Sequence, residues 1–275
     1  MNKPVKHHYI PQSILRRFCD ADGQLYTFNK EVGKHGRKKY PAAVCYVEHL
    51  HTLINGDDKF TEIEALYSTI EDQLIEFLKE IDGRLNANIK IDSLKDDPNI
   101  NRIISLFLSL SFWRIPKRSG LAGKARKKLR KIYDAAPNDN KELVGLDRSF
   151  IRDLERKSAS VSTKISQFVV LPALLSNASN SAVRDCWFYP TQFDQAISDD
   201  PIVCDMNEDF MLAGDIYLPV GSRLCITNAP QKIPALQEKM VNNASKIVMA
   251  NSKECLSVLC ELKKETRYSS SESSA

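Results

Sequence analysis

Long hydrophobic runs are missing from this sequence. The most apolar stretch, residues 103–113, lies between Arg102 and Arg114. That is about half of the roughly 20 residues a membrane-spanning helix needs, so no membrane partner is expected. No apolar leader core stands near the amino terminus, and no secretory signal is expected. Paired cysteine motifs are missing too. Cys19, Cys45, Cys186, Cys204, Cys225, Cys255 and Cys260 are scattered, with no Cys-x-x-Cys, which suits buried thiols in a reducing cytoplasm. There is no Walker-type phosphate loop, Gly-x-Gly-x-x-Gly, Gly-x-Ser-x-Gly or His-Glu-x-x-His. These absences argue against a nucleotide-driven ATPase and a zincin. A large excess of charge of one sign is missing as well: a net charge of +4 does not by itself call for nucleic acid.

What is present is ordinary globular texture, 43% hydrophobic and 27% charged over 275 residues. The pattern predicts one α+β domain over residues 1–262, with a mixed or antiparallel sheet from the amino- and carboxy-terminal parts and a mostly helical middle at about 61–178. Strands are expected at 24–28, 42–47 and 51–54, and a turn at 55–58. Thr61-Glu62-Ile63-Glu64 reads as a capping box that starts a helix. Its apolar face runs Ile63, Leu66, Ile70, Leu74, Phe77 or Leu78, and Ile81, opposite a solvated face of Glu71, Asp72, Glu76 and Glu80. Residues 98–115 predict a helix apolar nearly all round, buried at the centre of the helical layer. Asp147 is expected to cap another, and Pro172 to kink or interrupt a third. Later strands are expected at 187–189, 196–204, 211–218 and 223–226, a helix at 233–250 and a last strand at 255–262. Residues 263–275 are serine-rich and charged, as in a disordered tail.

The densest polar chemistry lies at Lys6-His7-His8-Tyr9-Ile10-Pro11-Gln12-Ser13-Ile14-Leu15-Arg16-Arg17-Phe18. Pro11 biases Ile10 toward extended geometry, so His7 to Ile10 read as an extended arm whose successive side chains point apart. After Pro11, Ile14, Leu15 and Phe18 follow helical spacing, leaving Gln12 and Arg16 on another face. The turn at 20–23 ends that helix.

This segment resembles the opening motif of the domain-of-unknown-function family four-two-three-eight, His-His-Tyr-x-Pro-Gln-x-x-Leu-Arg-x-Phe, at His7, His8, Tyr9, Pro11, Gln12, Leu15, Arg16 and Phe18. Ser198-Asp199-Asp200-Pro201 is similar to that family's Ser-Asp-Asn-Pro signature, with Asp200 in place of the usual Asn. Ile216-Tyr217-Leu218-Pro219 is similar to its hydrophobic-Pro-Leu-Ser segment, with Val220-Gly221-Ser222 following. The resemblance implies fold coherence over about 3–262 and a bacterial or phage-borne setting. The family has no established activity.

Two function classes follow. In the first, the chain is a metal-assisted or histidine-dependent phosphoester hydrolase acting on nucleic acid. His7 and His8 serve as base or ligands, because imidazole titrates near neutrality and binds metals. Asp199 is the carboxylate partner, and His8 with Asp199 are candidate ligands for a divalent metal ion. Gln12 and Arg16 hold the anion, the guanidinium fork matching phosphate oxygens. In the second, the chain is a non-catalytic module that binds nucleic acid or protein. The basic segment 117–131, read as a helix over 121–133, supplies Lys124, Lys127 and Lys128 as phosphate contacts. The competing reading is a solvated helix that neutralises the acidic face at Glu71 to Glu80. The histidine arm is expected to fold back on the loop at Asp199.

Overall fold

The computed structural model describes residues 6–50, 52–55, 58–60, 62–142, 145, 147–176 and 180–260. In chain order its elements are β1 (Lys6–His8), α1 (Gln12–Arg16), β2 (Tyr26–Asn29), β3 (Lys34–His35), β4 (Tyr46–Glu48), β5 (Leu53–Asn55), β6 (Asp58–Phe60), α2 (Glu62–Asn86), α3 (Pro98–Trp113), α4 (Ser119–Arg126), α5 (Leu129–Ala135), α6 (Asn138–Glu142), α7 (Arg148–Arg156) and α8 (Ala159–Ile165). A π-turn (Ser166–Val170) leads into α9 (Leu171–Leu174). Then come α10 (Ser181–Arg184), β7 (Trp187–Pro190), β8 (Ile197–Ser198), β9 (Val203–Met206), β10 (Leu212–Gly221), β11 (Leu224–Thr227), α11 (Ile233–Asn243), β12 (Ile247–Ala250) and α12 (Lys253–Cys260). The class is α+β with antiparallel pairing and a helical middle, as the sequence predicts. No helix among the described residues is long and apolar enough to cross a membrane. The chain divides into two compact units.

The first unit comprises residues 1–11, 46–187 and 204–216. Its centre is α3. Asp97 caps it by accepting the Asn99 amide at 2.8 Å, and Pro98 occupies the first turn, where no amide is needed. Phe107, Leu108, Phe112 and Trp113 are buried, as the composition predicts. Pro116 follows three residues beyond the helix, and buried Gln167 Nε2 donates to the Trp113 and Ile115 carbonyls at 2.9 and 3.1 Å; the Ile115 carbonyl also accepts the Arg118 amide at 3.0 Å. Pro172 does not break the helical path but is preceded by the π-turn, a widened turn that absorbs the missing amide. Asp147 caps α7 as expected. The expected Thr61 capping residue, and Gly56 and Asp57 of the expected turn, lie outside the described residues.

The second unit comprises residues 12–45, 188–203 and 217–275. Its sheet has the order β3-β2-β12-β8. β12 lies inside it, pairing with β2 (Val248 opposite Phe28) and with β8 (Val248 opposite Ser198). Val248, Phe28, Tyr217, Leu236, Met240 and Leu256 share its core. Three sequence expectations are corrected. The helix expected over 233–250 ends at Asn243, and 247–250 is a strand. Lys30 is the reason: its ammonium donates to the Val241, Asn242 and Ala244 carbonyls at 2.8, 2.8 and 2.9 Å, capping α11 where the helix dipole is negative. β-branched Ile247 and Val248 then suit a strand. The strand expected over 255–262 is a helix through Cys260, because Ser252 Oγ accepts the Cys255 amide at 3.1 Å and starts it. The strand expected over 42–47 opens instead as a 3₁₀ turn (Pro41–Ala43), since Pro41 favours a turn start, and strand pairing begins only at Tyr46. The tail expected at 263–275 lies outside the described residues.

Candidate functional site

The histidine arm is a strand of the first unit. β1 pairs antiparallel with β4, His7 opposite Val47 and His8 opposite Tyr46. The two imidazoles therefore point apart, as the extended reading requires. His7 is fully buried and His8 nearly so. The His8 and Tyr46 rings are 5.7 Å apart, and the Lys6 ammonium lies 4.4 Å from the same tyrosine ring. Where the arm ends, Tyr9 and Pro11 border a small cleft with Tyr67, Glu71, Ser111 and Arg114. Arg114 is buried, ion-paired with Glu71 and stacked over Tyr67 at 4.4 Å. Glu71 is thus not part of the solvated face expected for α2, because a buried guanidinium needs a carboxylate. Glu76 and Glu80 do face solvent.

The rest of the motif belongs to the second unit. Ile14, Leu15 and Phe18 are buried, which turns Gln12 and Arg16, one helical turn apart, to the other side. Both line a cleft of about 500 Å³ together with Cys19, Asp20, Tyr40 and Pro41. Arg16 Nη2 donates to Gln12 Oε1 at a long 3.5 Å, and Arg16 has no carboxylate partner among the described residues. Its neighbour Arg17 is committed to the fold: Nε donates to the Val220 carbonyl at 2.6 Å, and its own carbonyl accepts the Ser222 amide at 3.1 Å.

The floor of the cleft is electrostatically fixed. Asp20 accepts from the Lys38 ammonium at 2.6 Å and from the Gln24 amide at 2.9 Å. The Lys38 bond, then the amide, hold this carboxyl below its ordinary range, and Lys38 is raised in turn. Burial, then the Asp20 charge, push the Cys19 thiol up, so it is no thiolate at neutral pH. Sequence reasoning missed Asp20, Lys38, Cys19 and Tyr40. Lys38 was visible only as one cation of a basic loop, with nothing to name its partner.

Asp199 is also in the second unit, directly after β8. Its two carboxylate oxygens accept the Ser245 and Lys246 amides, each at 2.8 Å, and its own amide donates to the Ile247 carbonyl at 3.1 Å. This carboxylate holds the turn between α11 and β12. Ser198 Oγ donates to the Asp200 carbonyl at 2.8 Å and accepts the Asp200 amide at 3.2 Å, and Asp200 is buried. His7 and His8 are residues of the first unit, and Asp199 of the second.

A family model described as a protein of unknown function, DUF4238, matches residues 6–255. The chain belongs to that family. The match takes in the histidine arm, the Gln12–Arg16 helix and the Asp199 turn of this DUF4238 chain. No curated protein and no solved structure matches it.

The basic segment of this DUF4238 member is two helices, not one. Lys127 and Lys128 amides bond back to the Lys124 and Ala125 carbonyls in tight three-residue turns that end α4, and α5 begins afresh at Leu129. Lys124, Lys127 and Lys128 are exposed. Within the segment, Arg130 pairs with Glu155 at 2.9 Å and Lys131 with Asp209 at 3.1 Å. Among the described residues, no group of three or more His, Cys, Asp and Glu side chains is placed to hold a metal ion.

Proposed function

We propose that this chain is a non-catalytic binding module that takes a nucleotide phosphate of a nucleic acid in the Gln12–Arg16 cleft. The observation that carries the reading is Arg16, left without a carboxylate among the described residues, on a cleft of about 500 Å³ with the Gln12 carboxamide beside it. That volume is in the range of small-molecule sites, and a guanidinium fork is the usual partner of phosphate oxygens. The cleft's own groups favour binding over reaction. A carboxyl held low by Lys38 is a weak base, and a protonated Cys19 is a weak nucleophile. Taken by themselves in the first unit, the exposed Lys124, Lys127 and Lys128 are proposed as sequence-independent contacts to a nucleic-acid backbone. Seven free thiols support a cytoplasmic setting.

The hydrolase expected from the sequence needs His7 or His8 with Asp199, whose oxygens already accept two backbone amides. One experiment separates the readings: titration with a short single-stranded oligonucleotide carrying a 5′-phosphate, followed by ³¹P NMR with and without magnesium. The module predicts saturable binding, weakened at least tenfold by Arg16→Gln, with the phosphodiester resonances intact. Conversion of phosphodiester to phosphomonoester that His8→Ala and Asp199→Ala both abolish replaces the module with the histidine-dependent or metal-assisted hydrolase.

A further inference from the structure

A second cavity, in the first unit, shares only Lys128 with the nucleic-acid reading. It measures about 150 Å³ and is walled by Ile132, Leu174, Leu175, Phe210 and Met211. An apolar cavity of that size admits a benzene-sized guest. Phe210 reaches it from a loop that Asn207 holds rigid: Asn207 Oδ1 accepts the Asp209 and Met211 amides at 3.0 and 2.9 Å, and Phe210 donates to the Asn207 carbonyl at 3.1 Å. The loop keeps Phe210 at φ +64°, the left-handed region that costs a bulky side chain energy and persists only where surroundings enforce it.

The mouth carries charge of unequal sign. Lys128 and Lys131 both line it, and Asp209 pairs with Lys131 at 3.1 Å. Lys128 lies 5.5 Å from the Phe210 ring centroid and has no carboxylate partner among the described residues. Two ammonium groups against one carboxylate leave one positive charge at the rim of an apolar chamber. A neutral apolar guest leaves that charge unused, and a cation meets repulsion.

We propose that this cavity binds a small monocarboxylic acid with an aromatic or short aliphatic body, its apolar part between Phe210 and Leu174 and its carboxylate on Lys128. The test is a ¹⁹F NMR titration of the full chain with 4-fluorophenylacetate, alongside the methyl resonance of Met211. The expected result is a saturable ¹⁹F shift, a Met211 methyl shift with the same midpoint, and at least tenfold weaker binding of 4-fluorophenethylammonium. Lys128→Glu, an exposed change, weakens the acid at least tenfold, and Lys128→Arg retains it. An unmoved Met211 methyl, equal binding of the ammonium compound, or undiminished binding in Lys128→Glu overturns the proposal. Arg16→Gln leaves this binding unchanged, which separates it from the nucleotide reading.

Discussion

The Tyr67 hydroxyl donates to the Phe168 carbonyl at 2.7 Å, and Phe168 is the residue whose carbonyl an ordinary helix would satisfy with the amide of Pro172. Proline has no such amide. A buried side chain from α2 thus donates to a carbonyl to which Pro172 has no amide to give. Tyr67→Phe keeps the ring and removes the donor. It is expected to cost about 1–2 kcal/mol, the usual penalty for a buried acceptor that loses a partner. Urea unfolding of the two proteins checks this.

Lys30 and the end of α11 form the corresponding joint of the second unit. Lys30→Met keeps the aliphatic stem and removes a charge that three carbonyls share. The expected loss is about 1.5–3 kcal/mol, the range for hydrogen bonds to a charged group. Hydrogen exchange locates it: the last-turn amides of α11 lose protection while those of α3 do not.

The Asp20–Lys38 link sets a pH dependence. The carboxyl is held low, chiefly by the Lys38 ammonium and next by the Gln24 amide. The unfolded chain therefore binds the proton more readily than the folded one. The link's stabilisation is present above the ordinary carboxylate range and lost as pH falls through the folded-state value. The melting-temperature difference between wild type and Lys38→Gln is expected to be positive at neutral pH and to vanish in acid. A difference that persists in strong acid contradicts the pairing.

Reversal of Lys124, Lys127 and Lys128 to Glu is expected to weaken binding of single-stranded RNA or DNA and to flatten its dependence on salt, because fewer counterions are released. Fluorescence anisotropy at a series of salt concentrations reads both. Unmutated protein that binds neither nucleic acid at low salt removes the basis for this contact.

What was legible in the sequence was what neighbours in the chain decide. Asp97, Pro98 and the apolar run to Trp113 specify α3 locally, and alternation alone separated His7 from His8. What was illegible depended on distant partners. Nothing near Asn243 announces the end of α11; the group that ends it is Lys30, 211 residues before Val241. Glu71 reads as one more acid of a solvated face until Arg114, 43 residues on, is buried against it. The same limit hid half of the cleft. The spacing of Gln12 and Arg16 put them on one face, but only the fold shows that Arg17 is consumed by Val220 and Ser222 while Arg16 is not.

The central claim is that Arg16 recognises phosphate in that cleft. Isothermal titration of adenosine monophosphate into wild type, Arg16→Gln and Arg16→Lys tests it most directly. The account predicts saturable binding by wild type, a loss of at least tenfold in Arg16→Gln, and partial retention in Arg16→Lys, where the charge survives without the fork. Wild-type protein that does not bind, or an Arg16→Gln variant that binds as tightly as wild type, contradicts it.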